Sequence, residues 1–496
     1  MKKTDLYKKP FISGVGGSGM SNIAHFFLEK GIKFFGSDIK KTLLTEKFEK
    51  LGNKIFYKQT GENIKKVQPD AFFYSQAIEN GEGKSELEEA KKLGIPCFKN
   101  AEGYFELFKD KKIIAISGAH GKTTTTALTS IIFEAAGLDP TCIIGAPIKE
   151  FADKNFPEGK SFRLGKGDFV IIEACEYNRQ FLALKKIFGL VILNIEHDHP
   201  DCYKDIEEVK EAFSELEKNI EKDGFLIDLS IKKKRFFILE EKKHRNSVHF
   251  KSLFSLLELE SIAKNKEIKL PPDILLDFKT TLIGKHNLSN ICISFITFLE
   301  SAMRVSKKSS NFLKEIASEK KFRNSKIFTS IKKSISNFSG ANRRQELIGY
   351  FDKIPIYDDY AHHPTQVKVT LEAFFEHFKK IAVIFESHQY KRTKELYKDF
   401  IESFEILKNQ GKLFLFPVYK VPGRDEDSDF IDHRKMGEDI KKTGVDVQTF
   451  DSYDDIPKVF EKVSKASLDC ILNLGAGPIS GKIREFVQEM LNSVKN

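Results

Sequence analysis

The feature that most restricts this chain is an alternation. Short runs rich in β-branched and aromatic residues are separated by segments of helical periodicity, each roughly 10 to 15 residues long. The runs at 112–117, 169–173, 190–195, 381–385, 413–417 and 470–474 read as buried strands. Strands that alternate with helices build βαβ units and largely parallel sheets, so the expected fold class is α/β. At about 150 residues per domain, a chain of 496 residues divides into roughly three domains. The expected boundaries are 1–109, 110–340 and 341–496.

Three places join a strand to a polar or glycine-rich loop and then to a helix, one in each third of the chain. In the first, Phe11-Ile12-Ser13 leads into Gly14-Val15-Gly16-Gly17-Ser18-Gly19-Met20 and a helical pattern over 21–30. Glycines allow a tight turn and close approach to a pyrophosphate, whose charge then sits at a helix N-terminus. Asp38, at the end of the next strand, is placed for a ribose hydroxyl. This loop alone would suit NAD, and a purely structural tight turn is the competing reading.

The second opening is Gly118-Ala119-His120-Gly121-Lys122-Thr123-Thr124, between the 112–117 strand and an apolar helix over 125–136 closed by Gly137. Backbone amides around phosphates, lysine on the β- and γ-phosphates and a threonine hydroxyl on Mg²⁺ account for these residue types. The usual Walker spacing is absent, because position 116 is Ile where a glycine would stand. Downstream lie Glu173 and Glu176, then Asn194-Ile195-Glu196-His197-Asp198-His199, both at strand ends. Oxygen and imidazole ligands beside a phosphate loop suit Mg²⁺. Zinc held by His197 and His199 is the rival, disfavoured because alternate strand residues face opposite ways.

Gly284-Lys285-His286-Asn287-Leu288-Ser289-Asn290 opens a further helix, where amide side chains can read a purine edge or simply cap the helix. The third opening, 354–365, ends in Asp358-Asp359-Tyr360-Ala361-His362-His363-Pro364-Thr365, with proline marking a helix start. His388-Gln389-Tyr390-Lys391-Arg392-Thr393 follows the strand at 381–385. In open α/β sheets this carboxyl edge is where ligands bind.

Composition narrows the partners. The net charge of +10 is mild for this length, and the densest basic run (Lys232, Lys233, Lys234, Arg235, then Lys242, Lys243, His244, Arg245) reads as a solvated surface excursion rather than a nucleic-acid patch. Six cysteines without a CxxC pair fit free thiols in a reducing compartment. No apolar run approaches the roughly 18 residues that would span a bilayer, and Gly14, Gly16 and Gly17 interrupt any signal-peptide core. A soluble, cytoplasmic protein with no nucleic-acid or membrane partner is expected.

Taken together, GVGGSGM at 14, SDI at 37, SQAI at 75, GAHGKTTTT at 118, EACEY at 173, NIEHDH at 194, GKHNLSN at 284, NRRQE at 342, DDYAHHPT at 358, HQYKRT at 388 and GAGPI at 475 resemble the Mur ligases, the ATP-dependent amide-forming enzymes of peptidoglycan precursor synthesis. GVGGSGM together with DDYAHHPT points to the alanine-adding branch. The resemblance implies a Rossmann-like N-terminal domain for a UDP-sugar, a central P-loop ATPase domain and a C-terminal Rossmann-like α/β domain for the amino acid. It implies ATP and Mg²⁺ as cofactors, UDP-N-acetylmuramate and L-alanine as substrates, an acyl-phosphate intermediate, and a monomer or homodimer.

By the same resemblance, Gly14, Gly16, Gly17, Ser18, Gly19, Asp38 and Ser75 hold the UDP-sugar, which replaces the NAD reading of the first loop. Gly118 to Thr124, with His286, Asn287 and Asn290, hold ATP; Thr123, Glu173 and His199 hold metal. Tyr360, His362 and Arg392 hold the amino acid, and Lys122, His199, Arg344, His362 and Arg392 form the catalytic set. Phe213 stands where many relatives carry a carbamylated lysine, as in the alanine branch. Ala119, Lys58-Gln59, Gln389 and Pro478 depart from the family pattern, and Gln389 in place of arginine weakens the expected carboxylate clamp. The competing functions are a recycling ligase that attaches a murein tripeptide to the same UDP-sugar and, from another class, an NAD-dependent oxidoreductase.

Overall fold

The computed structural model describes residues 7–79, 81–199, 202–230, 235–244, 247–259, 269–305, 315–421 and 425–495. Three sheets, each largely or wholly parallel, follow one another along the chain, as the alternation requires. The first has the spatial order Lys54–Phe56, Phe35–Ser37, Pro10–Ser13, Ala71–Tyr74, Cys97–Lys99, all parallel. The second runs Ile220–Asp228, Ile187–Ile192, Lys112–Ser117, Phe169–Glu173, Thr141–Ile148, Lys160–Arg163, with only the last strand antiparallel to its neighbour. The third runs Glu346–Phe351, Ile354–Asp359, Cys470–Leu474, Ile381–His388, Gly411–Tyr419, Asp446–Thr449, where the first pair is antiparallel.

The first two sheets share one apolar core. One continuous apolar cluster runs from Ile12, Phe27, Phe34 and Phe73 of the first third to Ile113, Phe162, Leu190 and Phe213 of the second. The third sheet builds its core separately, with Val367, Phe385, Leu413 and Leu472 on one face and Ile384, Phe414, Phe460 and Ile483 on the other. Phenylalanine supplies much of this filling: the chain has 45 Phe and no Trp, so large rings pack without an indole N–H to satisfy.

Two expectations shift in detail. The strand expected at 190–195 is Ile187–Ile192, because pairing with Lys112–Ser117 stops at Ser117 and residues 193–199 leave the sheet for the cleft. The strand starting at Ile381 runs on to His388, so that histidine ends the strand rather than following it.

The lysine-rich excursion needs a larger correction. Phe236–His244, Ser247–Ser255 and Asp273–Thr280 form a three-stranded antiparallel sheet. Its inner face buries Val248, Phe250, Phe254, Ile274, Leu276 and Phe278 against the central helices. Arg235 is itself buried, paired with Glu300. Lys232, Lys233, Lys234 and Arg245 lie outside the described residues. Charged residues on the outward positions of alternating strands hid the sheet, since an antiparallel sheet can face water on one side.

Candidate functional site

The loops at the carboxyl ends of all three sheets meet in a cleft of about 580 Å³. Ser18 and Gly19 reach it from the first sheet, and His120 to Thr123, Glu173, Asp198 and His199 from the second. Arg344, Tyr360, His362, His388 and Arg392 reach it from the third.

The Lys122 loop is held by glycine geometry. Gly118 (φ +131°) lies so close to Asn194 that a Cβ would meet its backbone N and O at 3.0 Å, and Gly121 (φ +84°) sets the start of the helix Lys122–Ala135. Asn194 clamps the loop from the facing strand end: its Oδ1 accepts from the His120 N–H at 2.8 Å, and its Nδ2 donates to the His120 carbonyl at 3.0 Å. The Lys122 ammonium donates to both oxygens of Glu176 at 3.0 and 2.9 Å and to the Gly118 carbonyl at 2.5 Å. Burial alone would lower the lysine's pKa, but the Glu176 carboxylate overrides it and raises Lys122 above its ordinary value. Burial likewise opposes the charge on Glu176, and Lys122 pulls that carboxyl below its usual range. Glu176 therefore holds the Lys122 ammonium in a paired position at the head of its helix.

The expected metal ligands Thr123, Glu173 and His199 fall into two neighbouring groups, and among the described residues His120, Glu196 and His363 form a further cluster of ligand atoms. Thr123 Oγ1 donates to Glu173 Oε1 at 3.1 Å, and the other Glu173 oxygen accepts from the Gly145 N–H at 2.7 Å. Ligand atoms of Glu176, Asp198 and His199 lie within 4.8 Å of one another. A set dominated by carboxylate and hydroxyl oxygens, beside a phosphate loop, fits a hard divalent cation such as Mg²⁺. The zinc alternative loses one ligand, since His197 Nε2 is engaged with the Tyr203 carbonyl at 3.1 Å.

Arg344 Nη2 lies 3.4 Å from Thr123 Oγ1, so this arginine reaches the Lys122 loop from the third sheet. Arg392 is 1 % exposed, and its Nε and Nη2 donate to Asp198 Oδ1 at 3.1 and 2.9 Å. Burial disfavours charge on Asp198, yet the guanidinium holds that carboxyl well below its usual range. His362 Nδ1 bonds the Tyr360 carbonyl at 2.8 Å, which assigns the ring proton to Nδ1. Burial, aided by the Arg392 charge, lowers the His362 pKa far below normal, so the ring is neutral with its Nε2 lone pair open. Gln389 is completely buried and does not line the cleft.

His286, Asn287 and Asn290 line an adjoining cavity of about 250 Å³ between the second and third sheets. Asn287 Nδ2 donates to Gln345 Oε1 at 3.1 Å, and Gln345 Nε2 lies 3.3 Å from His286 Nε2. From the same side, Gln366 Nε2 contacts His120 Nδ1 at 2.8 Å, and Thr365 Oγ1 donates to Glu196 at 3.0 Å.

In the first loop, Asp38 Oδ2 accepts from the Gly16 N–H at 2.8 Å and so braces the loop. Gly14 (φ +77°) packs against Ser75, whose Oγ a Cβ would meet at 2.8 Å. Gly14, Gly16, Gly17, Asp38 and Ser75 are grouped together but are not among the residues lining the main cleft. Asp198, Gln345 and Gln366 were absent from the sequence-derived set, as was Glu176 as a partner of Lys122. Asp198 and Glu176 were visible within NIEHDH and EACEY, whereas nothing local in the sequence points from Gln345 or Gln366 to a loop more than 50 residues away.

Three family models match in order: the Mur ligase family catalytic domain at 12–112, the Mur ligase middle domain at 116–298 and the Mur ligase glutamate ligase domain at 343–477. A UDP-N-acetylmuramate–L-alanine ligase of Caldanaerobacter subterraneus is 31% identical over 98% of both chains. A Clostridium tetani protein of the same name is 33% identical over 95% of this chain and 96% of its own. The crystal structure of a UDP-N-acetylmuramate–alanine ligase from Thermotoga maritima superposes with a TM-score of 0.71 at 21% identity, covering 98% of this chain and 100% of that one. Matched along nearly its whole length and in the same order of parts, the chain belongs to the Mur ligase family.

Proposed function

We propose that this protein is an ATP-dependent ligase that joins L-alanine to UDP-N-acetylmuramate. The observation that carries this reading is the convergence of Lys122, Glu173, His199, Arg344, Tyr360, His362 and Arg392, from the second and third sheets, on a single cleft. The names of relatives more than 30% identical over nearly the full length support the same substrates. We assign the UDP-sugar to 1–109, ATP to 110–340 and the amino acid to 341–496.

In this reading the lactyl carboxylate oxygen attacks the γ-phosphorus. A P–O bond forms to give an acyl phosphate, the β–γ bridge breaks, and ADP leaves. The amine of alanine then attacks the acyl carbon; a C–N bond forms, the C–O bond to phosphate breaks, and inorganic phosphate leaves with one amine proton released. A carboxylate approaching a triphosphate meets strong repulsion, so Lys122 and Arg344 supply compensating charge along the transfer path. Mg²⁺, held by Thr123, Glu173 and His199, would supply further neutralisation of the phosphates. Neutral His362, with Nε2 unprotonated, can accept a hydrogen bond from the amine and orient it, while the departing phosphate takes up the released proton. Arg392 provides charge for the amino acid's carboxylate. Closure of three segments over the cleft excludes water from the acyl phosphate.

The test is direct. Purified protein is incubated with UDP-N-acetylmuramate, ATP and MgCl₂, together with L-alanine, L-serine, glycine or a murein tripeptide, and products are read by mass. An alanine adduct with stoichiometric ADP is expected; a tripeptide adduct alone would identify the recycling reaction instead. Lys122→Ala should reduce turnover by about 10²- to 10³-fold or more, on the scale of losing one preorganised electrostatic contact. Calorimetric binding of the UDP-sugar should stay nearly unchanged. Equal loss of both would refute the division of ligands between segments.

A further inference from the structure

We infer that Asp198 is a positioning residue that couples metal binding to capture of the amino-acid substrate, because its single carboxylate contacts the arginine of one segment and the metal-site histidine, His199, of another. The inference rests on the ligase reading above.

The two oxygens of Asp198 face different partners. Oδ1 accepts from Arg392 Nε and Nη2 at 3.1 and 2.9 Å and from the His199 N–H at 2.7 Å. Oδ2 lies 3.7 Å from His199 Nε2, which in turn is 3.6 Å from Glu176 Oε1. Asp198 is 5 % exposed, so its charge acts in a medium where water screens little. Among the described residues it is also the only carboxylate in ion-pair contact with Arg392.

The direction of coupling follows from charge. While Asp198 is bound only to Arg392, it offsets the guanidinium that the substrate carboxylate needs. A divalent cation held with His199, whose Nε2 lies 3.7 Å from Asp198 Oδ2, draws on the same carboxylate and restores the pull of Arg392 on an incoming carboxylate. Metal therefore tightens amino-acid binding. By linkage the amino acid tightens metal by the same factor, and such couplings typically amount to about 5-fold or more. In this arrangement the amino acid is captured strongly only once the phosphoryl-transfer site is loaded.

The experiment uses the full chain saturated with UDP-N-acetylmuramate and β,γ-imido-ATP. L-Alanine is titrated calorimetrically with and without MnCl₂, and free Mn²⁺ is followed by electron paramagnetic resonance with and without L-alanine. In the wild type, Mn²⁺ should tighten alanine about 5-fold or more, and alanine should tighten Mn²⁺ equally. In Asp198→Asn, metal-free alanine affinity should rise toward the metal-loaded wild-type value and the factor should fall to about 1. Three results would overturn the inference: no linkage in the wild type, unchanged linkage in Asp198→Asn, or weaker metal-free alanine binding in that variant, as a plain interdomain brace would give. The wild-type arm requires no variant to fold. Failure to form any alanine adduct would refute the ligase reading, whereas adduct formation without linkage would refute this inference alone.

Discussion

At the residue scale, the structure pairs buried charges across long sequence separations. Asp358, fully buried, receives Arg484 Nη2 at 2.6 Å and Nε at 3.0 Å, Asn473 Nδ2 at 2.7 Å and Ser480 Oγ at 2.6 Å. Arg484, about one-third exposed, also donates to Glu346 at 2.7 Å, so its removal leaves the buried Asp358 carboxylate with only neutral donors and Arg343 at 3.9 Å. Arg484→Met should therefore lower the urea midpoint, and the double variant with Asp358→Asn should recover part of the loss. A double variant no more stable than the single would show that the arginine acts through packing. Asp358 was legible as part of an acidic strand end, but Arg484, 126 residues away, was not.

At the element scale, a helix start and its loop are local matters that sequence reports well, while a strand's end depends on what it pairs with. Pro364–Phe375 begins as its proline dictates, with His363 Nδ1 accepting from the Thr365 N–H at 3.3 Å. The helix Ser18–Glu29 likewise follows its glycine loop and carries His25 into a ring of Phe48 and Phe156, at centroid distances of 5.4 and 4.6 Å. Burial there, reinforced by Lys160, lowers the His25 pKa to about 3. The unfolded chain takes up this proton near pH 6.5 and the fold refuses it, so stability present above pH 6.5 is lost as pH falls toward 3. The slope from this group is about 1.4 kcal/mol per pH unit. Between pH 6.5 and 5, His25→Phe should lose roughly 2 kcal/mol less than the wild type in urea titrations. Parallel curves would show that other groups govern the acid limb.

At the scale of the whole molecule, the first two sheets share one apolar cluster, whereas the third meets them through polar contacts such as Arg392–Asp198, Gln366–His120 and Gln345–Asn287. Apolar burial is the dominant cohesive contribution and polar pairs add little beyond orientation. Calorimetry should accordingly show residues 1–340 unfolding as one cooperative unit, with the third sheet in a separate transition. Separate transitions for the first two sheets would contradict the shared core. Gln345→Ala should raise the KM for ATP several-fold, with little change in UDP-sugar affinity, because it removes the partner of Asn287 and His286 from across the adjoining cavity. An equal change in both affinities would count against that assignment.

The sequence by itself determined the α/β alternation, the three strand–loop–helix openings and the residue types at their tips, because periodicity, glycine conformation and helix starts are set within a few residues. The resemblance of those motifs to a known family supplied their assignment to ligands. Only the tertiary structure decided that Glu176 holds Lys122, that Asp198 holds Arg392, that Gln389 is interior and that the lysine-rich stretch from Arg235 onward is largely a packed sheet. Those outcomes depend on charges and apolar faces brought together from distant segments, and burial turns each such meeting into a strong constraint that no local pattern records.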